Sequence, residues 1–181
     1  AFPLQPGSAD AAILPALPGG VYTAHISSAD GRPGVALAEV YDGLAGDSEA
    51  RLVNLSTRGF VGTDENILIA GFVVGGTGAM RLLLRGIGPG LTQFGVPGAI
   101  AQPRLTLFSG GTPIAMNTGW ISDGYKNDLA VAAASVSAFP LAESSADSAL
   151  LFDATPGAYT IQISGLGATT GEAMVEIYVL P

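Results

Sequence analysis

An all-β chain, folded as an antiparallel β-sandwich of jelly-roll or immunoglobulin-like type with one short helix, is predicted by three observations. Apolar and polar residues alternate with period two, as in Tyr159, Ile161 and Ile163 against Thr160, Gln162 and Ser164, which gives a strand one buried and one wet face. Turn residues are abundant, with 26 glycines and 12 prolines punctuating 181 residues at sandwich-like intervals. Residues 1–42 are also written a second time, without a gap, as residues 138–179, with 18 identities in 42 positions. Self-similarity at a fixed offset marks modular arrays whose units pack against neighbours.

In chain order, the first copy predicts a strand through Tyr22, Ala24 and Ile26, after the turn Leu17-Pro18-Gly19-Gly20, and another over 35–41. The middle of the chain supplies strand candidates at 51–57, 67–74, 80–87, 104–109 and 113–117. They are separated by Gly62, Gly75-Gly76, Gly88-Pro89-Gly90, Pro97-Gly98 and Gly110-Gly111. Asn127-Asp128 then cap a short helix whose apolar residues Leu129, Ala132, Ala133 and Val136 keep helical spacing until Pro140. The second copy closes the chain with the turn Thr155-Pro156-Gly157 and strands over 159–163 and 173–180. Two partitions are compatible with this order. Residues 1–98 and 99–181 each close a lobe, the preferred reading because each duplicated segment then has strands beside it; alternatively, 43–181 form one jelly roll and the first 42 residues lie against another copy.

Composition narrows the function. Hydrophobic residues make up 48% and charged residues 12% of the chain, which excludes a disordered, charge-solvated protein. The net charge is −8 with seven basic residues, so nothing offers the clustered cations that nucleic acid or anionic lipid needs. No apolar run approaches the roughly 20 residues of a membrane span. There are no cysteines, and hence no disulfide, thiolate metal site or cysteine nucleophile. The chain starts at Ala1 without a signal-peptide pattern, which reads as a processed or excerpted secreted protein.

Candidate chemistry is sparse. His25, the lone histidine, falls on the wet face of a predicted strand, its counterpart in the second copy is Gln162, and no GxSxG elbow occurs, so no catalytic residue is expected. Asp123, Asn127 and Asp128, and separately Asp64, Glu65 and Asn66, are oxygen-rich but lack EF-hand spacing; they read as turn and cap residues, and no metal or cofactor is expected. Gly86-Ile87-Gly88-Pro89-Gly90 and Gly75-Gly76-Thr77-Gly78 resemble phosphate loops only superficially, since neither opens a helix or carries the lysine. Arg81 and Arg85 share one strand face and read as solvated or internally paired. Trp120 and Tyr125 lie close enough in sequence to form an aromatic platform for an extracellular glycan.

The stretch RLVNLSTRGFVGTDENILIAGFVVGG, followed by RLLLRGIGPGL and QFGVPGAIAQPRLTLFSG, is similar to a tandem repeat of large secreted bacterial proteins, which ends in segments like PGAYTIQISG and TTGEAMVEIY. Residues 103–178 also resemble the pre-peptidase C-terminal domain, a small accessory β-sandwich of secreted bacterial peptidases. The resemblance implies an extracellular or cell-surface bacterial setting and carries no catalytic residue set.

These readings converge on a non-enzymatic structural protein, a protomer or segment of a filament or surface stalk assembled head-to-tail from copies of itself. A carbohydrate-binding or adhesive module, using Trp120 and Tyr125, is the alternative. The run 67–74 does not alternate, so both its faces need cover, and the chain ends offer strands for exchange. The assembly contacts expected are Ala1, Phe2, Leu4, Ile13 and Leu14 at one end, Ile67, Ile69, Phe72 and Val74 in the middle, and Val175, Ile177 and Val179 at the other.

Overall fold

The computed structural model describes residues 3–42, 51–122 and 124–181. The chain divides into two units, Ala1–Leu52 and Val53–Pro181. In the first, the described residues form neither helix nor strand and are exposed throughout. The strands expected through Tyr22 and over 35–41 therefore do not form here. A strand gains its backbone hydrogen bonds only from a partner, and a lone alternating segment has none. Ala1 and Phe2 lie outside the described residues.

The second unit is a β-sandwich of two four-stranded antiparallel sheets. Its strands are β1 (Asn54–Val61), β2 (Leu68–Val74), β3 (Met80–Ile87), β4 (Pro103–Ser109), β5 (Thr112–Asn117), β6 (Ser148–Ala154), β7 (Gly157–Gly165) and β8 (Gly171–Val179). One sheet has the order β1-β8-β3-β6 and the other β2-β7-β4-β5. The expected boundary between residues 98 and 99 is crossed by all three pairings of the first sheet, β1 with β8, β8 with β3 and β3 with β6. Residues on both sides of it thus share one core, not two lobes.

Alternation aims Leu82 and Leu84 of β3, Leu105 and Leu107 of β4, Ile161 and Ile163 of β7 and Val175 of β8 between the sheets. Leu83 points the other way, into a second cluster with Trp120, Leu129 and Ala149. The helix α1 (Lys126–Ser135) contributes Leu129 and Ala132 to its buried side, as the apolar spacing predicts. It begins two to three residues earlier than an Asn127-Asp128 cap implies, with Tyr125 at its N-cap position and no side-chain cap bond. Asp128 instead sits in the first turn, where the helix dipole favours an anion.

The strand buried on both faces is β3, whereas β2 follows a simpler rule. It is an edge strand, with Ala70 and Val74 buried and Ile69 and Val73 exposed at 53% and 78%. Among the contacts expected for assembly, Val74, Val175 and Ile177 belong to the internal core, with Phe72 and Val179 packed against it. In this chain the inter-sheet core occupies them. Ile67 is half-buried. Leu4, Ile13, Leu14 and Ile69 are exposed.

Candidate functional site

The densest polar chemistry of the sandwich lies beneath a lid on the outer face of the β1-β8-β3-β6 sheet. Arg85 on β3 and Glu176 on β8 are directly paired in register and almost wholly buried, at 1% and 4% exposure. Arg85 Nε stands 2.8 Å from Glu176 Oε2, an ion pair in which the N–H is poorly aligned with the oxygen. Arg85 Nη1 donates to the Phe139 carbonyl at 2.7 Å, and the guanidinium carbon lies 4.2 Å from the centre of the Phe139 ring. Phe94 meets Phe139 edge-on at 4.9 Å. Tyr178 donates its hydroxyl proton to Glu176 Oε1 at 2.9 Å.

Burial dominates the electrostatics. Desolvation pushes the Glu176 carboxyl above its ordinary 4.5, with Arg85 pulling against it. Burial and then the Glu176 charge raise the Tyr178 phenol likewise.

A second buried carboxylate stands close in sequence. Asp147 Oδ1 accepts the Gly88 N–H at 2.7 Å, and both its oxygens accept the Gly90 N–H, at 3.1 and 3.0 Å. Ser145 Oγ donates to it as well. The glycine-rich turn dismissed as a phosphate loop is thus an anion nest whose occupant is the chain's own carboxylate. Glycine is required there: a Cβ on Gly88 would stand 2.3 Å from the Ile100 carbonyl oxygen, and one on Gly90 would stand 2.8 Å from Asp147 Oδ2.

The aromatic platform does not form. Trp120 is 5% exposed, its indole N–H donates to the Ala142 carbonyl at 3.0 Å, and its backbone N–H donates to the Asp147 carbonyl at 2.8 Å. Tyr125 is 62% exposed. Apolar burial beside Leu83 and Leu129 claims the indole, leaving the tyrosine alone. Arg81 is the solvated member of its pair, 3.8 Å from the exposed Asp153, while Arg85 is the internally paired one. His25 is exposed in the first unit. Among the described residues no group of three or more His, Asp or Glu side chains is placed to hold a metal. Asp123 of the oxygen-rich loop lies outside them.

Two open grooves lie on the surface nearby. One, of about 450 Å³, lies among Arg58, Phe94, Val96, Pro97 and Glu172; the other, of about 490 Å³, lies between the Pro89–Gln93 turn and residues 140–145. Neither reaches the buried ion pair, because Phe139 and the β-sheet enclose it. Chemically, the arrangement is a clasp. It ties residues 138–179, which supply Phe139, Asp147, Glu176 and Tyr178, to the part of the chain that occurs once, which supplies Arg85, Gly88 and Gly90. Sequence reasoning singled out Arg85 and the glycines without their partners; the signal for those partners was the set of polar residues identical in the two copies.

No helix among the described residues is long and apolar enough to cross a membrane. No family model matches the chain, and no curated protein matches it. Among solved structures, it is similar to the pre-peptidase C-terminal domain of collagenase from Bacillus anthracis, with 11% identity and a TM-score of 0.42, over 69% of this chain and 89% of that one.

Proposed function

We propose that this chain is a non-catalytic structural module of an extracellular bacterial filament or stalk, in which sandwiches of one kind are joined in series. The observation that carries this reading is the fate of the duplicated residues. Ile26, Tyr22 and Leu14 are exposed at 60%, 52% and 99%, whereas their counterparts in the second copy include Ile163 at 0% and Tyr159 at 7%. A chain that keeps core-type residues on an unpaired segment has an apolar surface that burial elsewhere would stabilise. The exposed edge strand β2, with Ile69 and Val73, offers a further contact of the same sort. The extracellular setting is the expectation carried by the resemblance of residues 51–110 to repeats of secreted proteins.

Negative-stain electron microscopy of the secreted material tests the proposal. Regular filaments or strings of beads are expected. Discrete monomeric particles at all concentrations would remove it.

A further inference from the structure

The clasp is present twice in sequence but only once with its partners. Slid by 137 positions, Ser145, Asp147, Tyr159, Glu176 and Tyr178 fall on Ser8, Asp10, Tyr22, Glu39 and Tyr41, identical in every case. Local geometry is kept as well. Tyr41 donates to Glu39 Oε1 at 2.9 Å, as Tyr178 does to Glu176, and Tyr22 donates to the Pro18 carbonyl at 2.8 Å, as Tyr159 does to that of Thr155 at 2.9 Å.

The complementary half occurs a single time. Arg85, Gly88 and Gly90 belong to residues 43–137, which have no second copy in the chain, and Glu176 and Asp147 already engage them. Among the described residues Glu39 has no cationic partner and Asp10 is exposed. A carboxylate set matched to a buried arginine and an N–H nest is unexplained on an isolated segment. It is explained by a second frame.

We propose that residues 1–42 are a three-strand insert that takes the place of residues 138–179 in the sandwich frame formed by residues 53–137 of a second copy of this chain, the resident segment being displaced in exchange. Glu39 and Tyr41 would meet the frame's Arg85, and Asp10 its Gly88-Pro89-Gly90 nest. This rests on the serial-module reading and names both the segment and the partner that joins the modules. The differences between the copies weaken the insert without removing its polar set. Ser28 stands at Gly165, where a Cβ would overlap the Thr169 carbonyl oxygen, so the turn after that strand must take another path in the insert. Pro15 stands where Phe152 pairs with Leu82 in the β3–β6 ladder, so a docked insert gives up one backbone hydrogen bond there. Gly34 matches Gly171, where a Cβ would stand 2.5 Å from the Gly98 carbonyl oxygen. Ala24 and Ala38 replace the larger core residues Ile161 and Val175, which loosens the docked insert relative to the resident one.

The test uses the full-length chain in two forms. In the first, residues 138–179 carry the sequence of residues 1–42 with only Ile161 and Val175 retained. A strand-type circular dichroism spectrum and one cooperative thermal transition are expected; a chain with neither overturns the proposal. The second form carries Asp147→Lys and Glu176→Lys, which disable the resident segment, together with Ala24→Ile and Ala38→Val. Size-exclusion chromatography with light scattering is expected to show dimers or larger species, and adding Glu39→Lys is expected to abolish them. Species that stay monomeric before that substitution, or persist equally after it, overturn the exchange. Filaments in the microscope from a chain whose first form does not fold would remove the insert and leave the serial reading intact.

Discussion

Replacing Arg85 by methionine isolates the contribution of the clasp. The substitution keeps a long, unbranched side chain, so the packing beneath Phe139 changes little while the charge disappears. Glu176 is then left 4% exposed with no cation beside it, and the Phe139 carbonyl loses its donor at 2.7 Å. Breaking a buried pair by removing one partner costs about 3–5 kcal/mol, because the remaining charge is stranded in low dielectric. For a unit of this size, at about 4 °C per kcal/mol, the melting temperature falls by about 12–20 °C. Removing the second charge as well, in Arg85→Met with Glu176→Leu, is expected to recover most of that loss, since a hydrophobic replacement of a buried pair is often neutral within about 1–2 kcal/mol. Urea unfolding of the two single variants and the double variant closes the cycle. A cost below about 1 kcal/mol for Arg85→Met, or a double variant as unstable as the sum of the singles, would refute the clasp as the tie between the two parts of the sandwich.

Three further expectations bear on the same region. Because burial raises the Glu176 pKa above its unfolded 4.5, the folded state holds that proton more tightly. The associated stability is fully present below about pH 4.5 and is lost as pH rises through the raised value. Wild-type stability relative to Glu176→Gln should therefore decline with rising pH across that window, and a difference that grows with pH would contradict the direction of the shift. Gly88→Ala, whose Cβ meets the Ile100 carbonyl oxygen at 2.3 Å, should cost about 1–3 kcal/mol or more in denaturant unfolding, and a neutral result would mean that the turn is not as close as described. Trp120→Ala should cost about 3–5 kcal/mol and Tyr125→Ala less than about 0.5 kcal/mol; the reverse order would return the indole to the surface.

Legibility differed from element to element for identifiable reasons. The bounds of β3 are legible in RLLLRGI and its flanking glycines, whereas the alternation of Tyr159, Ile161 and Ile163 marks the middle of β7 and misses two residues at each end. Strand β6 carries no sequence signal because Ala149-Leu150-Leu151-Phe152 shows no alternation, although its residues divide between the two apolar clusters. The opposite error occurred in the first copy. Tyr22, Ala24 and Ile26 alternate well, yet no strand forms there, because alternation describes what a strand would bury and supplies no neighbour to pair with. The run 67–74 looked covered on both faces; it lies at a sheet edge, where Ile69 and Val73 remain exposed.

The candidate site divides in the same way. Its residue types were visible from sequence: an arginine on an apolar strand, a glycine-proline-glycine turn, and a set of polar residues repeated at a fixed offset. That Arg85 stands beside Glu176, with 90 residues between them along the chain, was decided by the pairing of β3 with β8. Local pattern alone determined that this protein builds sheets, where most of its turns fall, and that one segment is written twice. Which strands become neighbours, which face of each is closed, and which of the two copies finds its arginine were settled only by tertiary packing, since hydrogen-bond registry and burial are properties of pairs of segments and not of either segment by itself.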